Sequence, residues 1–183
     1  MKVIRKQSVQ DASFSLGNRL ARVVWSITNS LLIRYSPVSC FAYRRKILNL
    51  LGAKLKTGAS VYPSVKIWYP PNLVMEEGAS IGPEVKIYNQ GLITIGRNAI
   101  VSQGAHLCAS THDYNDPIHP LVLAPIIIGA NAWICAEAFV GPGVTIGEGA
   151  VIGARAVVSK DAECWSVYAG NPATKVKERN RFE

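Results

Sequence analysis

Residues 128–159 read IGANAW ICAEAF VGPGVT IGEGAV IGARAV VS, and in them Ile128, Ile134, Val140, Ile146, Ile152 and Val158 recur at every sixth position. Ile, Leu and Val together supply 48 of the 183 residues. Six matches in a row then have a chance probability of about 3 in 10,000, so the period is a real signal. The residue after each aliphatic is small (Gly129, Cys135, Gly141, Gly147, Gly153, Ser159), and the fourth after it is small or β-branched (Ala132, Ala138, Val144, Ala150, Ala156). Neither an α-helix nor a hairpin repeats every six residues. A hexad fits a short strand plus a tight corner, where one large aliphatic enters a narrow core and small residues let the backbone turn. Successive coils then pair their strands in parallel at about 4.8 Å.

The same period runs upstream through Leu55, Val61, Ile67 and Leu73, then Ile81, Ile87 and Ile93, then Ile95, Val101 and Leu107. The register slips by two residues twice, as a bulge at a corner would produce. Three hexads per triangular coil predict an all-β repeat, a parallel β-helix prism of about five coils from residue 55 to 160. Residues 1–54 precede it and residues 161–183 form a C-terminal tail.

The largest break falls between Leu107 and Ile128. The chain there is extruded as a loop, residues 109–127, and loops of this length inside a compact repeat are usually functional or disordered. This one carries His112 and His119, two of the three histidines, with Asp113, Asp116 and three prolines. The third histidine, His106, takes the fifth place of a hexad, expected at a corner and without a role.

Ahead of the prism, Asn18 to Ile33 reads as a helix with apolar Leu20, Val23, Val24, Ile27 and Leu31 and with Arg19, Arg22 and Arg34 near its ends. Ser36-Pro37 interrupts it, and a second helix is expected from Val38 to Leu51, stopped by Gly52. These amphipathic helices are expected to cap the first coil. The sharper alternative lays the basic, Trp25-bearing helix on an anionic membrane surface.

The formal net charge is +8, and its distribution is uneven. Residues 1–56 hold eleven basic and one acidic side chain, whereas the remaining 127 residues hold nine basic and eleven acidic. No helix-turn-helix, RRM or zinc-finger pattern accompanies the basic end, so nucleic acid is not expected as a partner. No segment has the roughly 18 uninterrupted apolar residues of a membrane span. Four cysteines without C-x-x-C spacing suit a reduced, cytoplasmic location, with peripheral contact at the inner face of the membrane as the variant.

These residues resemble the hexapeptide-repeat acyltransferases, whose fold is a left-handed parallel β-helix. The motifs Pro63-Ser-Val-Lys-Ile67, Ser110-Thr-His-Asp-Tyr114, Val140-Gly-Pro-Gly-Val-Thr-Ile-Gly147 and Ala169-Gly-Asn-Pro-Ala173 are similar to those of the colanic acid biosynthesis O-acetyltransferases, relatives of the maltose and galactoside acetyltransferases. The likeness runs from about Ser13 to Arg179. It implies a homotrimer with acetyl-CoA in the groove between prisms, no metal, and a sugar acceptor under the extruded loop, in exopolysaccharide biosynthesis. It places the general base on His112, a role suited to imidazole because a sugar hydroxyl needs its proton removed near neutral pH. His119 is expected to brace the loop.

By the same resemblance the acceptor site takes Trp133, Asp113, Tyr88 and Asn89, although Tyr88 stands where relatives have the asparagine. CoA would lie along Ala136 and Ala154, with its phosphates near Ser159, Lys160 and Lys177. Lys175 stands near the place of a usual arginine, without the arginine's bidentate fork. A zinc-dependent carbonic anhydrase on the same prism needs a histidine distant in sequence from the other two, and none exists. A xenobiotic O-acetyltransferase shares the fold and the base. A catalytically silent scaffold of a polysaccharide-assembly complex is the reading from another class.

Overall fold

The computed structural model describes residues 1–4 and 14–182. The basic segment from Arg5 to Ser13, within the stretch taken above as 1–54, lies outside the described residues, as does Glu183. The chain opens with β1 (Lys2–Ile4), α1 (Leu16–Thr28), which continues as a π-helical turn (Asn29–Ile33), and α2 (Phe41–Leu50). Three strands per coil follow. The first coil holds β2 (Lys54–Leu55), β3 (Ser60–Val61) and β4 (Lys66–Ile67), the second β5 (Leu73–Met75), β6 (Ser80–Ile81) and β7 (Lys86–Tyr88), and the third β8 (Ile93–Ile95), β9 (Ile100–Val101) and β10 (His106–Cys108).

The extruded segment then supplies β11 (Ser110–His112) and β12 (Leu121–Leu123). Regular coils resume with β13 (Ile126–Ile128), β14 (Trp133–Ile134) and β15 (Phe139–Val140), then β16 (Thr145–Ile146), β17 (Val151–Ile152) and β18 (Val157–Val158). A last, partial coil ends in the hairpin β19 (Ser166–Ala169) and β20 (Thr174–Glu178).

Parallel pairing makes three faces. One is β16-β13-β8-β5-β2, the second is β19-β17-β14-β9-β6-β3 with β20 antiparallel at its edge, and the third is β18-β15-β10-β7-β4. The period-six aliphatics are stacked in register, as in Met75↔Ile95, Ile134↔Ile152 and Leu107↔Val140, and all are buried. Parallel strands whose inner face is one continuous aliphatic column have a single register that buries the whole set.

The corners differ in detail from the sequence reading. The residue that turns the chain is the third after the aliphatic, with φ from 56° to 77° at Gly58, Gly78, Glu84, Asn98, Gly104, Asn131, Glu137, Gly143, Gly149 and Arg155. The small residue directly after the aliphatic serves close approach instead. A Cβ on Gly147 would sit 2.5 Å from the Cys164 backbone nitrogen of the next coil, and one on Gly129 would sit 2.6 Å from that of Glu148. The alanines at the fourth place are buried beneath the corners.

Both register slips lie on one edge of the prism. Leu73 and Met75, like Ile93 and Ile95, are inward-facing ends of three-residue strands, and the extra residues widen the preceding corner. The fully buried Asn89 fills that corner. Its Oδ1 accepts from the backbone N–H of Trp68 (3.1 Å) and Tyr69 (3.0 Å), and its Nδ2 donates to the Tyr69 carbonyl (2.7 Å).

Helix α2 packs on β2 and β3 and closes the first coil, with Leu48 fully buried and Gly52 at φ 92° ending the helix as expected. The fully buried Arg44 ties the helix connection to the prism. It donates to the carbonyls of Val61 (2.6 Å), Pro37 (2.7 Å) and Val38 and to Ser36 Oγ (2.9 Å). Helix α1 does not cap in the expected way. Only Trp25 is buried, its Nε1 donating to the Ile67 carbonyl at 2.8 Å, while Leu20, Val23, Val24, Ile27 and Leu31 form a stripe 53% to 72% exposed. No described helix is long and apolar enough to cross a membrane.

Candidate functional site

The extruded segment is a hairpin, and the amino terminus holds it. β11 and β12 pair antiparallel with Thr111 opposite Val122, and β1 adds a third strand with Val3 opposite Val122. This small sheet projects from the corner after the third coil and carries His112 at its end. Beyond it Asp116 Oδ1 accepts from the Ile118 N–H, the Asp116 carbonyl accepts from the His119 N–H, and His119 is held at φ 43°. That turn brings the His119 carbonyl 2.7 Å from His112 Nδ1. A carbonyl can only accept, so Nδ1 carries the hydrogen and the lone pair of the neutral ring is on Nε2. His119 thus braces the loop through its backbone.

His112 opens onto a cleft of about 480 Å³ lined by Phe14, Arg19, Arg22, Trp68, Tyr88, Gln90, His112 and Leu121. Helix α1, the widened corner of the first two coils and the hairpin each contribute one wall. Trp68 packs its ring 4.8 Å from Phe14 and 6.3 Å from Tyr88, and the Arg22 guanidinium lies 4.4 Å from the Trp68 ring centre, within cation–π range. Gln90 Nε2 donates to Tyr88 Oη at 3.0 Å.

A second cleft of about 360 Å³ shares Trp68 and Tyr88 and runs down the third face past Lys66, Lys86 and His106. His106 is not at a corner but points outward from β10, where burial, with help from Lys86, lowers its pKa below the ordinary histidine value.

Of the residues expected at the acceptor site, Tyr88 and His112 meet in the first cleft. Asn89 does not take part, because its side chain is buried and spent on the corner. The widened corner after β7 explains the exchange: Asn89 turns inward to fill it, and Gln90, the next residue, lines the cleft instead. Asp113 is half-buried and accepts the Asn115 N–H on Oδ1, shaping the turn. Trp133 stands on a different face, on β14, with Nε1 donating to Ser102 Oγ at 2.8 Å.

Ala136 and Ala154 stack on one corner of the later coils, where the Arg155 N–H donates to the Ala136 carbonyl at 2.9 Å. Ser159 and Lys160 follow β18, and Lys177 pairs with Val167 across the terminal hairpin. A single chain therefore keeps these five apart from the His112 cleft. Lys175 is held by Glu163 at 2.6 Å and Glu178 at 2.7 Å, and their carboxylates raise its pKa. It is already paired and is not a free cation.

Phe14, Arg19, Arg22, Trp68 and Gln90 were not anticipated as site residues. The sequence carried no shared motif to join them, since they come from α1, the residue just ahead of its N-cap and the corners of two coils, which meet only in space.

Comparison with known proteins identifies the family and the fold. The family described as bacterial transferase hexapeptide (six repeats) matches residues 125–160. The chain is 37% identical over 170 residues to the Escherichia coli (strain K12) protein named colanic acid biosynthesis acetyltransferase WcaF, covering 93% of each. It is 29% identical over 140 residues to the galactoside O-acetyltransferase of the same strain, covering 75% of this chain and 69% of that protein. A solved galactoside acetyltransferase in complex with coenzyme A superimposes with a TM-score of 0.82 at 26% identity, over 92% of this chain and 86% of the other. With a repeat that matches the family and an identity to WcaF that runs along nearly its whole length, this chain belongs to the hexapeptide-repeat acetyltransferases.

Proposed function

We propose that the protein transfers an acetyl group from acetyl-CoA to a hydroxyl of a sugar in exopolysaccharide biosynthesis, with His112 as general base. The observation that carries this reading is the 2.7 Å contact between His112 Nδ1 and the His119 carbonyl, which leaves Nε2 as the proton acceptor at an open cleft. Nε2 takes the hydroxyl proton as the sugar oxygen attacks the thioester carbonyl. The C–S bond then breaks, and the imidazolium returns the proton to the departing CoA thiolate. The aromatic faces of Trp68 and Tyr88 suit the apolar face of a sugar ring.

The small side chains at Ala136 and Ala154 leave that corner open to a pantetheine arm, and Ser159, Lys160 and Lys177 suit its phosphates. These residues lie away from His112 in one chain, which supports a homotrimer in which a neighbour completes the site and brings Trp133 to it. Apolar side chains on the outer faces, Ile100, Ile127 and Trp133, are between 43% and 49% exposed and would be covered there.

The exposed stripe of α1, flanked by Arg19 and Arg34, fits an anionic membrane surface and so a peripheral place at its cytoplasmic side. Co-sedimentation with vesicles of anionic but not neutral lipid, lost in Val24→Asp with Ile27→Asp, is the expected result. Equal sedimentation of the variant refutes it.

The central test is acetyl-CoA-dependent thiol release with a panel of saccharides. His112→Ala is expected to lower the rate by about 100- to 10,000-fold. A variant within a few-fold of the native rate removes His112 as the base, and no release with any saccharide removes the sugar acceptor.

A further inference from the structure

We propose that the acceptor is an anionic saccharide, one bearing a carboxylate or a phosphate close to the acetylated hydroxyl, and that Arg22 with Arg19 recognises that charge. The inference rests on the reading of His112 as the site of transfer. Arg19 and Arg22 stand three residues apart on α1, which puts both on one helix face, and both line the His112 cleft. Arg22 is half-buried against Trp68, and its Nε is shielded from solvent with no hydrogen-bond partner. Among the described residues neither arginine takes part in an ion pair.

A partly desolvated guanidinium without a counter-ion is costly, and an anion seated beside it recovers that cost. The planar fork of arginine matches carboxylate and phosphate oxygens with paired hydrogen bonds, which neutral hydroxyls do not offer.

The rest of the cleft agrees with a charged sugar. Gln90 Nε2 is fixed on Tyr88 Oη, so its Oε1 is directed elsewhere, and that oxygen is buried without a donor. It suits a saccharide hydroxyl. Among the described residues no acidic side chain lines either this cleft or the one below it, whereas Arg19, Arg22, Lys86 and Lys66, the last also paired with Glu84 at 3.5 Å, do. Of the nearby loop carboxylates, Asp113 and Asp116 are each engaged with a backbone N–H of their own turn. Among the described residues no carboxylate is left to neutralise Arg19 and Arg22, so a ligand that brings negative charge suits the cleft.

The experiment uses matched pairs: methyl glucuronoside against methyl glucoside for the carboxylate, and glucose 1-phosphate against glucose for the phosphate. Each is measured by equilibrium binding and by thiol release from acetyl-CoA. The anionic member of at least one pair is expected to bind about 10- to 100-fold more tightly, the range of a charge-assisted contact, and the pair that responds identifies the anion. Arg22→Gln is expected to collapse the ratio within that pair to about 3-fold or less, and Arg22→Lys to restore part of it. A general loss of structure lowers both members and leaves the ratio, so the ratio separates recognition from folding. Equal binding within both pairs, or a ratio unmoved by Arg22→Gln, overturns the proposal. Anion-selective binding that Arg22→Gln abolishes, without thiol release from any member, keeps the anion-recognising role of Arg22 and overturns the transfer reading on which the acceptor assignment rests. Release with neutral and anionic members alike does the reverse.

Discussion

Asn89 separates a residue that builds the site from one that touches the acceptor, and Asn89→Leu tests which it is. Leucine has a similar shape and offers no hydrogen bonds. Trp68 N–H also donates to the Ile87 carbonyl at 3.0 Å, and the Tyr69 carbonyl also accepts from the Asn72 N–H at 3.1 Å, so each keeps a partner. The Tyr69 N–H has no partner besides Asn89 among the described residues. One buried orphan donor costs about 1–3 kcal/mol, and the two weakened bonds add roughly 0.5–1 kcal/mol together, for a total near 3 kcal/mol. For a chain of this size that corresponds to a fall in Tm of about 6–12 °C. Thermal unfolding followed by circular dichroism measures it. The affinity for acceptor should fall as well, because Trp68 is positioned by this corner. A variant with native Tm and a raised KM would refute the reasoning and return Asn89 to the acceptor site.

Two further outcomes follow from the same structure. Arg44→Met removes four contacts around a fully buried guanidinium, whose pKa burial already lowers, and is expected to cost about 3–5 kcal/mol with the α1–α2 connection detached, read by urea unfolding and by proteolysis between Ser36 and Cys40. His106 has its pKa lowered in the folded protein, so the unfolded chain binds the extra proton first. Stability is expected to fall as pH drops from about 6.5 toward the folded value, and His106→Gln should flatten that part of the pH profile of unfolding.

Much of the scaffold could be read directly because its information is local. Each hexad repeats one short strand and one corner, and a coil cannot bury its aliphatic without the coil above and below, so period alone fixes parallel stacking. The long break between Leu107 and Ile128 likewise announced the excursion that carries His112. The finer roles within a hexad were harder to read. Close approach and left-handed turning are both served by glycine, and only the backbone angles show that the third residue after the aliphatic turns the corner.

The site escaped a linear reading for a different reason. Whether Asn89 or Gln90 faces the cleft depends on a widened corner, and a shift of one residue in an extended segment exchanges inside for outside. The apolar stripe of α1 has the pattern of a buried face, yet Trp25 and Ile33 make the packing and leave the stripe exposed. Sequence therefore determined the prism, the extruded loop and the histidine within it. Tertiary structure alone decided the cleft, because Phe14, Arg22, Trp68, Gln90 and His112 are distant along the chain and become neighbours only when α1, a corner and the hairpin fold onto one edge of the prism.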